Sequence, residues 1–129
     1  MRILLTVAAF GMFAAAAVLT AQQPPSEKSK PVSFSKDVFP LIKKRCLPCH
    51  ASDSENPSLL ILEDYDGIVK GGKHGTSVIP RKGDSSFIVE KLRPNPPFGD
   101  QMPLMTKKKL TDEEIDLIKK WIDQGAKRN

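Results

Sequence analysis

Cysteine, histidine and aromatic side chains are all scarce in this sequence. Its 129 residues include two cysteines and two histidines, and aromatic residues make up 6% of the chain. Two cysteines cannot build the several disulfide bridges that stabilise small secreted scaffolds. A structural zinc ion would need all four of these sulfur and imidazole side chains, and the adjacency of Cys49 and His50 suits tetrahedral coordination poorly. The scarcity therefore excludes a disulfide-rich scaffold and argues against a zinc fold.

Patterns that identify several other classes of protein are also missing. There is no basic helix with interleaved aromatic residues, and acidic residues are mixed with the basic ones, so the net charge of +5 does not indicate nucleic-acid binding. The glycine-rich segment 71–83 lacks the G-K-[ST] ending of a phosphate-binding loop. No run has the length and alternation of a convincing strand. The fold is therefore predicted to be all-α.

An apolar run at the N-terminus predicts a targeting segment. Arg2 is the single charge among the first 21 residues, and the apolar run over residues 3–19 follows it. Leu19-Thr20-Ala21 offers a small-residue cleavage site, so residues 1–21 are predicted to be a secretory signal peptide. The run is also long enough to span a bilayer, so an uncleaved anchor is the alternative. Removal of the signal predicts a periplasmic or otherwise exported protein, which would meet a membrane only if the segment stays uncleaved.

The rest of the chain divides into a linker and one domain. Residues 22–32 hold three prolines and several charges and are predicted to be a flexible linker. Residues 33–127 are predicted to form one small domain of three to five short helices. The first helix is expected over residues 32–45, with Ser33 or Ser35 as its cap and Pro40 tolerated only in its first turn.

Later helices follow from local signals as well. Short helices are expected over residues 63–70, ended by Gly71-Gly72, and over residues 86–92, capped by Asp84 or Ser85. A T-x-x-E capping box that begins at Thr111 predicts the start of the last helix. Trp121 on this helix is expected to pack against the first helix.

Both cysteines stand in one pentapeptide, Cys46-Leu47-Pro48-Cys49-His50, which reads C-x-x-C-H. This is the signature of covalent c-type haem attachment. Two cysteines three apart in a tight helical turn can present both sulfurs to the vinyl groups on one edge of a haem, and a neutral imidazole in the next position is a good iron ligand. Cys46 and Cys49 are therefore predicted to form thioethers and His50 to be the proximal ligand. A disulfide or a redox-active dithiol is the alternative use of the pair.

A distal ligand to the iron is predicted in a proline-rich loop over residues 94–109. A loop of this length in a small domain is usually functional or disordered. Met102, followed by Pro103, is the first candidate, because a thioether suits haem iron and raises its potential. Met105 in the same loop and His74 in the glycine-rich segment are the alternatives, and an open iron site is a further one. Arg81 and Lys82 either contact the haem propionates or form a solvated turn.

Taken in order, these features resemble the planctomycete-type cytochrome c module of the class I cytochrome c fold. The resemblance is carried by a C-x-x-C-H motif, then G-G and I-P, an aliphatic helix, an M-P pair and an L-T-D-E-E-I…W-I…G-A helix. In this chain the pairs are Gly71-Gly72, Ile79-Pro80 and Met102-Pro103, and the final helix lies at residues 110–126. The resemblance implies a cytochrome c-like fold wrapped around one covalently attached haem c with its iron, and methionine ligation by Met102.

The expected function is one-electron transfer by a carrier that is not itself an enzyme. Its partners would be exported redox proteins with an acidic docking face, which the mild basicity of the chain would attract. Lys43, Lys44, Arg45 and the run 107–109 are candidate docking charges. The alternatives are a haem sensor or peroxidase-like protein with an open iron site, and a small exported dithiol protein. Tyr65 is expected to be a half-buried surface residue, with a hydrogen bond to a propionate as the other possibility.

Overall fold

The computed structural model describes residues 30–105, 107 and 109–129. The predicted signal peptide, and the predicted linker up to residue 29, lie outside the described residues. Within the described ranges the regular elements are helical, and the one β-type contact is an isolated bridge between Gly72 and Gly75. The predicted all-α fold is therefore confirmed for this part of the chain. No helix in the described ranges is long and apolar enough to cross a membrane.

The first helical segment has two parts because Pro40 interrupts its hydrogen bonding. A π-helical turn, Phe34–Val38, leads into helix α1, Phe39–Arg45, and Pro40 stands in the first turn of α1. A proline ring collides with the carbonyl four residues earlier in an ordinary helix. Here the turn before it is wider, since the Phe39 N–H donates to the Phe34 carbonyl five residues back. Ser33 caps the segment, as predicted, by accepting from the Lys36 N–H.

Helix α2, Tyr65–Lys70, is shorter than the predicted segment and starts two residues later. Its N-cap is Asp64, whose side chain accepts from the Gly67 N–H at 2.7 Å. The predicted stop is confirmed at Gly71, where φ is +83° and a side chain would be strained. A carboxylate cap therefore sets the start of α2, and a glycine sets its end.

The prediction for the third helix was wrong at its N-terminus. A short 3₁₀ turn, Gly83–Ser85, precedes helix α3, Phe87–Glu90, and neither Asp84 nor Ser85 caps it. Asp84 instead forms ion pairs with Arg93 and Lys119, which hold its pKa below the ordinary value through hydrogen bonds to both. Tertiary ion pairs outcompete the local cap here, because two cations reach one carboxylate.

Helix α4, Asp112–Asp123, confirms the predicted capping box. The Thr111 side chain accepts from the Glu114 N–H, and the Glu114 carboxylate accepts from the Thr111 N–H at 3.0 Å. Its apolar stripe is fully buried; the buried residues are Ile115, Ile118, Trp121 and Ile122.

An aromatic cluster joins α4 to the start of the domain. Phe34 lies against Trp121 and Tyr65, with ring centroids 5.3 Å apart in each pair. Trp121 is 1% exposed and therefore packs against the first helical segment, as predicted. Tyr65 is half-buried, as predicted, and its hydroxyl donates to the Ala126 carbonyl at 2.8 Å. The phenol thus closes the C-terminal turn after α4 and is already used within the protein.

The substitution Tyr65→Phe tests this assignment. It keeps the ring in the cluster but removes the donor to Ala126, so the free energy of unfolding should fall by about 1 kcal/mol. Chemical denaturation measures the change. The redox potential of the protein should not move, whereas a clear shift of the potential would contradict the assignment and indicate contact with a propionate.

Candidate haem-binding site

The C-x-x-C-H motif continues α1 as one further tight turn. The Cys46 N–H donates to the Ile42 carbonyl at 2.8 Å, and the Cys49 and His50 N–H groups both donate to the Cys46 carbonyl at 3.2 Å. Pro48 ends the regular helix inside this turn because it has no N–H to donate. The predicted helical turn is confirmed, and Cys46 and Cys49, the two cysteines of the chain, are not joined by a disulfide.

The orientation of His50 is set by the chain that follows it. Its Nδ1 lies 3.0 Å from the Leu60 carbonyl oxygen, and the Leu62 N–H donates to the His50 carbonyl at 2.9 Å. A carbonyl oxygen can only accept, so Nδ1 carries the hydrogen and Nε2 keeps a lone pair. This is the arrangement in which a histidine serves a metal ion through Nε2.

A cavity of about 570 Å³ brings the predicted site residues together. Cys46, Cys49 and His50 line it, and so do the three candidates for a distal ligand, Met102, Met105 and His74. The remaining lining is largely apolar, and its larger apolar members are Leu60, Leu62, Phe87, Ile88, Leu92, Phe98 and Leu104. A cavity of this size and lining suits a large, mostly apolar cofactor.

Met102 is held in place more firmly than Met105. Its N–H donates to the Lys91 carbonyl at 2.7 Å, and its half-buried side chain packs against the core. Met105 is 57% exposed. The Lys91 ammonium in turn donates to the carbonyls of Phe98 and Asp100, so one residue fixes the loop at three points. Burial lowers the pKa of Lys91 below its ordinary value.

His74 stands at the rim of the cavity with its ring against a phenylalanine. The imidazole stacks on Phe98 with the centroids 4.0 Å apart, and Phe98 meets the Phe87 ring edge-on. His74 is exposed, and its ring joins the glycine-rich segment to the loop of Met102. This contact could not be predicted from the sequence, because the two rings lie 24 positions apart in loops of irregular structure.

Arg45 belongs to the wall of the cavity and forms an ion pair within the protein. Its Nη2 donates to Glu114 Oε1 at 2.7 Å, and the side chain is 19% exposed. Its Nε is buried, with no hydrogen-bond partner among the described residues. α4 therefore supplies an internal carboxylate for Arg45, and its part in docking stays a prediction. Lys43 and Lys44 are exposed and keep that prediction open.

Glu114 joins this wall to the start of α4. Burial acts to raise the pKa of its carboxyl, but the hydrogen bonds from Arg45 and from the Thr111 N–H outweigh burial, so the pKa lies below the ordinary value. The two oxygens are divided between these partners, with Oε1 on the guanidinium and Oε2 on the backbone.

Within the glycine-rich segment, Gly72 lines the cavity, whereas Arg81 and Lys82 lie away from it. A Cβ at Gly72 would come within 2.4 Å of the Ser58 carbonyl. The absence of a side chain at this position therefore permits close contact between two backbone segments, in addition to any approach to a ligand. Arg81 and Lys82 are exposed and are not part of the cavity lining, which favours the solvated turn.

The residues of the cavity fit a covalently bound haem. The fit depends on three observations: two cysteine side chains at the cavity, a histidine whose Nδ1 faces a carbonyl oxygen, and a methionine in the same apolar cavity. An all-helical domain with this donor set defines the class of c-type cytochromes.

Comparison with known proteins supports that class and narrows it. A family model described as planctomycete cytochrome C matches residues 46–103, from the first cysteine of the motif to the proline after Met102. This segment is similar to that family, and the resemblance drawn from the motifs is confirmed. The family implies haem c and its iron. A search of curated proteins gave no match.

A solved structure, the hydrazine synthase of Kuenenia stuttgartiensis, is similar to this chain. The two are 25% identical over 74% of this chain, with a TM-score of 0.51. The match covers 16% of the other chain, so most of that protein has no counterpart here. The similarity shows a shared fold over the matched part of the two chains.

The pair of Arg45 and Glu114 predicts a pH-dependent stability. Because folding lowers the pKa of Glu114, its ionised form stabilises the protein above the ordinary value of 4.5, and this contribution disappears as the pH falls through the lowered value. Glu114→Gln keeps an acceptor for the capping box but removes the charge. The difference in free energy of unfolding between wild type and variant should therefore be largest at neutral pH and shrink in acid. Denaturation at several pH values measures it.

Asp116→Asn is the matched control, since Asp116 is an exposed carboxylate on the same helix. A difference between wild type and Glu114→Gln that does not change between neutral and acidic pH would contradict the role given to the pair.

Proposed function

We propose that this protein is an exported c-type cytochrome that holds one haem c and passes single electrons between redox partners. The observation that carries the proposal is that the C-x-x-C-H turn and Met102 line the same apolar cavity. The match of residues 46–103 to planctomycete cytochrome C supports it independently of the cavity.

Each site residue has a distinct role in this proposal. Cys46 and Cys49 would hold the haem through thioethers, His50 would bind the iron through Nε2 as the proximal ligand, and Met102 would bind it through its sulfur as the distal ligand. The bound haem supplies a reversible one-electron couple at its iron. The protein orients the imidazole through Leu60, excludes water with the apolar lining, and holds the methionine loop through Lys91.

An electron carrier fits these residues better than an enzyme. With His50 and Met102 both bound, no coordination position is left for a substrate. Met105 and His74 are the alternative distal ligands, but the first is 57% exposed and the ring of the second stacks on Phe98. A haem sensor or peroxidase-like protein is the second candidate function, and the similarity to a hydrazine synthase is the observation that favours it.

The redox partner is proposed to be an exported protein with an acidic face. Lys43 and Lys44 are exposed near the end of α1, shortly before the haem motif. The exposed Leu104 lines the cavity and adds an apolar side chain to its rim. Charges of one sign near the redox centre steer a partner of opposite sign and speed its association. The proposal of export rests on the predicted signal peptide. Haem attachment to this motif would then follow translocation.

Covalent attachment predicts a haem that survives denaturation. The purified protein should show the reduced spectrum of a c-type haem, and the colour should stay with the polypeptide after unfolding in acidified organic solvent. Cys46→Ser or Cys49→Ser should leave one thioether, and the double variant should lose the haem on denaturation. A colourless wild-type protein with titratable thiols would contradict the proposal and support the dithiol alternative.

Ligation by Met102 is tested separately from attachment. Met102→Ala should abolish the near-infrared methionine–iron band of the oxidised protein and lower the redox potential, because a thioether ligand raises it. Met105→Ala and His74→Ala are the matched controls and should keep both. Loss of the band in Met105→Ala alone would show that the assignment within the loop is wrong, and its absence in the wild type would favour ligation by His74 or an open site.

A further inference from the structure

We propose that Asn56 is a positioning residue that weakens the hydrogen bond of the proximal histidine and thereby raises the redox potential. This inference rests on the proposed function. Asn56 Nδ2 donates to the Leu60 carbonyl at 2.6 Å, and the same oxygen accepts from His50 Nδ1 at 3.0 Å. Two donors therefore share the one carbonyl that orients the imidazole.

The direction of the Asn56 amide is determined by its own partners. Its Oδ1 accepts from the Ser58 hydroxyl at 2.6 Å and from the Ser58 N–H at 3.2 Å. A backbone N–H can only donate, so the atom facing it must be the amide oxygen. The NH₂ group is then the one that faces Leu60, and the two donors on this carbonyl follow from the network.

The carbonyl of Leu60 is held in position by a neighbouring stretch of backbone. The Lys73 N–H donates to the Ser58 carbonyl at 2.7 Å, and a Cβ at Gly72 would lie 2.8 Å from the Leu60 nitrogen. The Ser58 hydroxyl also accepts from the Leu60 N–H at 3.3 Å. Because residues 58–60 are packed this closely, the carbonyl cannot turn to favour one donor by a large movement.

Competition between the two donors has a chemical consequence at the imidazole. A carbonyl already polarised toward one donor has less negative charge to offer a second, and the shorter distance is the one to Asn56. A weaker bond at Nδ1 leaves the imidazole less electron-rich at Nε2. Such a ligand stabilises ferric iron less, which favours the reduced state and raises the potential.

The test compares Asn56→Leu with Ser52→Ala in the haem-loaded protein. Asn56→Leu is uncharged and of similar size and removes the donor to Leu60. In the reduced protein, the NMR signal of the His50 Nδ1 proton should move downfield, since its hydrogen bond strengthens, and the redox potential should fall. Ser52→Ala removes a hydroxyl from the same loop, one that donates to Glu63 and is not part of the network around Leu60, so it should leave the proton signal and the potential near their wild-type values.

Two results would overturn the inference. One is an unchanged proton signal and potential in folded, haem-loaded Asn56→Leu. The other is an equal shift in Asn56→Leu and Ser52→Ala, which would assign the effect to the shape of the loop and not to the amide donor. Failure of the proposed function is a separate outcome, because it would appear in the wild type as a protein without attached haem.

Discussion

The contact on which the site depends is the hydrogen bond between His50 Nδ1 and the Leu60 carbonyl. The C-x-x-C-H turn fixes the backbone position from which the imidazole projects, but only this bond fixes which nitrogen faces the cavity. The segment that supplies the carbonyl is held by Gly72 and Lys73 from the other side, where a side chain at position 72 would meet backbone. The orientation of one ring is therefore determined by three stretches of chain that are far apart in sequence.

The opposite wall of the cavity is organised around a different residue. Lys91 follows α3 directly, and it accepts from Met102 with its carbonyl while donating to Phe98 and Asp100 with its ammonium group. A loop with many prolines cannot satisfy its own backbone groups through a helix, so a long cationic side chain does this for it. The short α3 is thus important as an anchor for the loop that carries the candidate distal ligand.

The sequence predicted those features whose signals are local. The C-x-x-C-H turn, the Ser33 cap, the stop at Gly71 and the capping box at Thr111 each depend on residues within a few positions of one another. The features that the sequence did not predict depend on contacts between segments that are distant along the chain. The pairing of Arg45 with Glu114 was not predicted, because the two residues lie 69 positions apart. The role of Leu60 could not be read from its side chain, since a backbone carbonyl is common to every residue.

The double use of Glu114 ties the wall of the cavity to the stability of the last helix. One carboxylate closes the N-terminus of α4 and also accepts from the guanidinium of Arg45. A substitution at either position therefore changes the requirement at the other. With a neutral residue at position 45, the carboxylate at position 114 would be needed only for the helix cap, where glutamine serves as well. We expect the two positions to change together among relatives, so an alignment would read them as a pair although one belongs to the haem motif region and the other to a helix start.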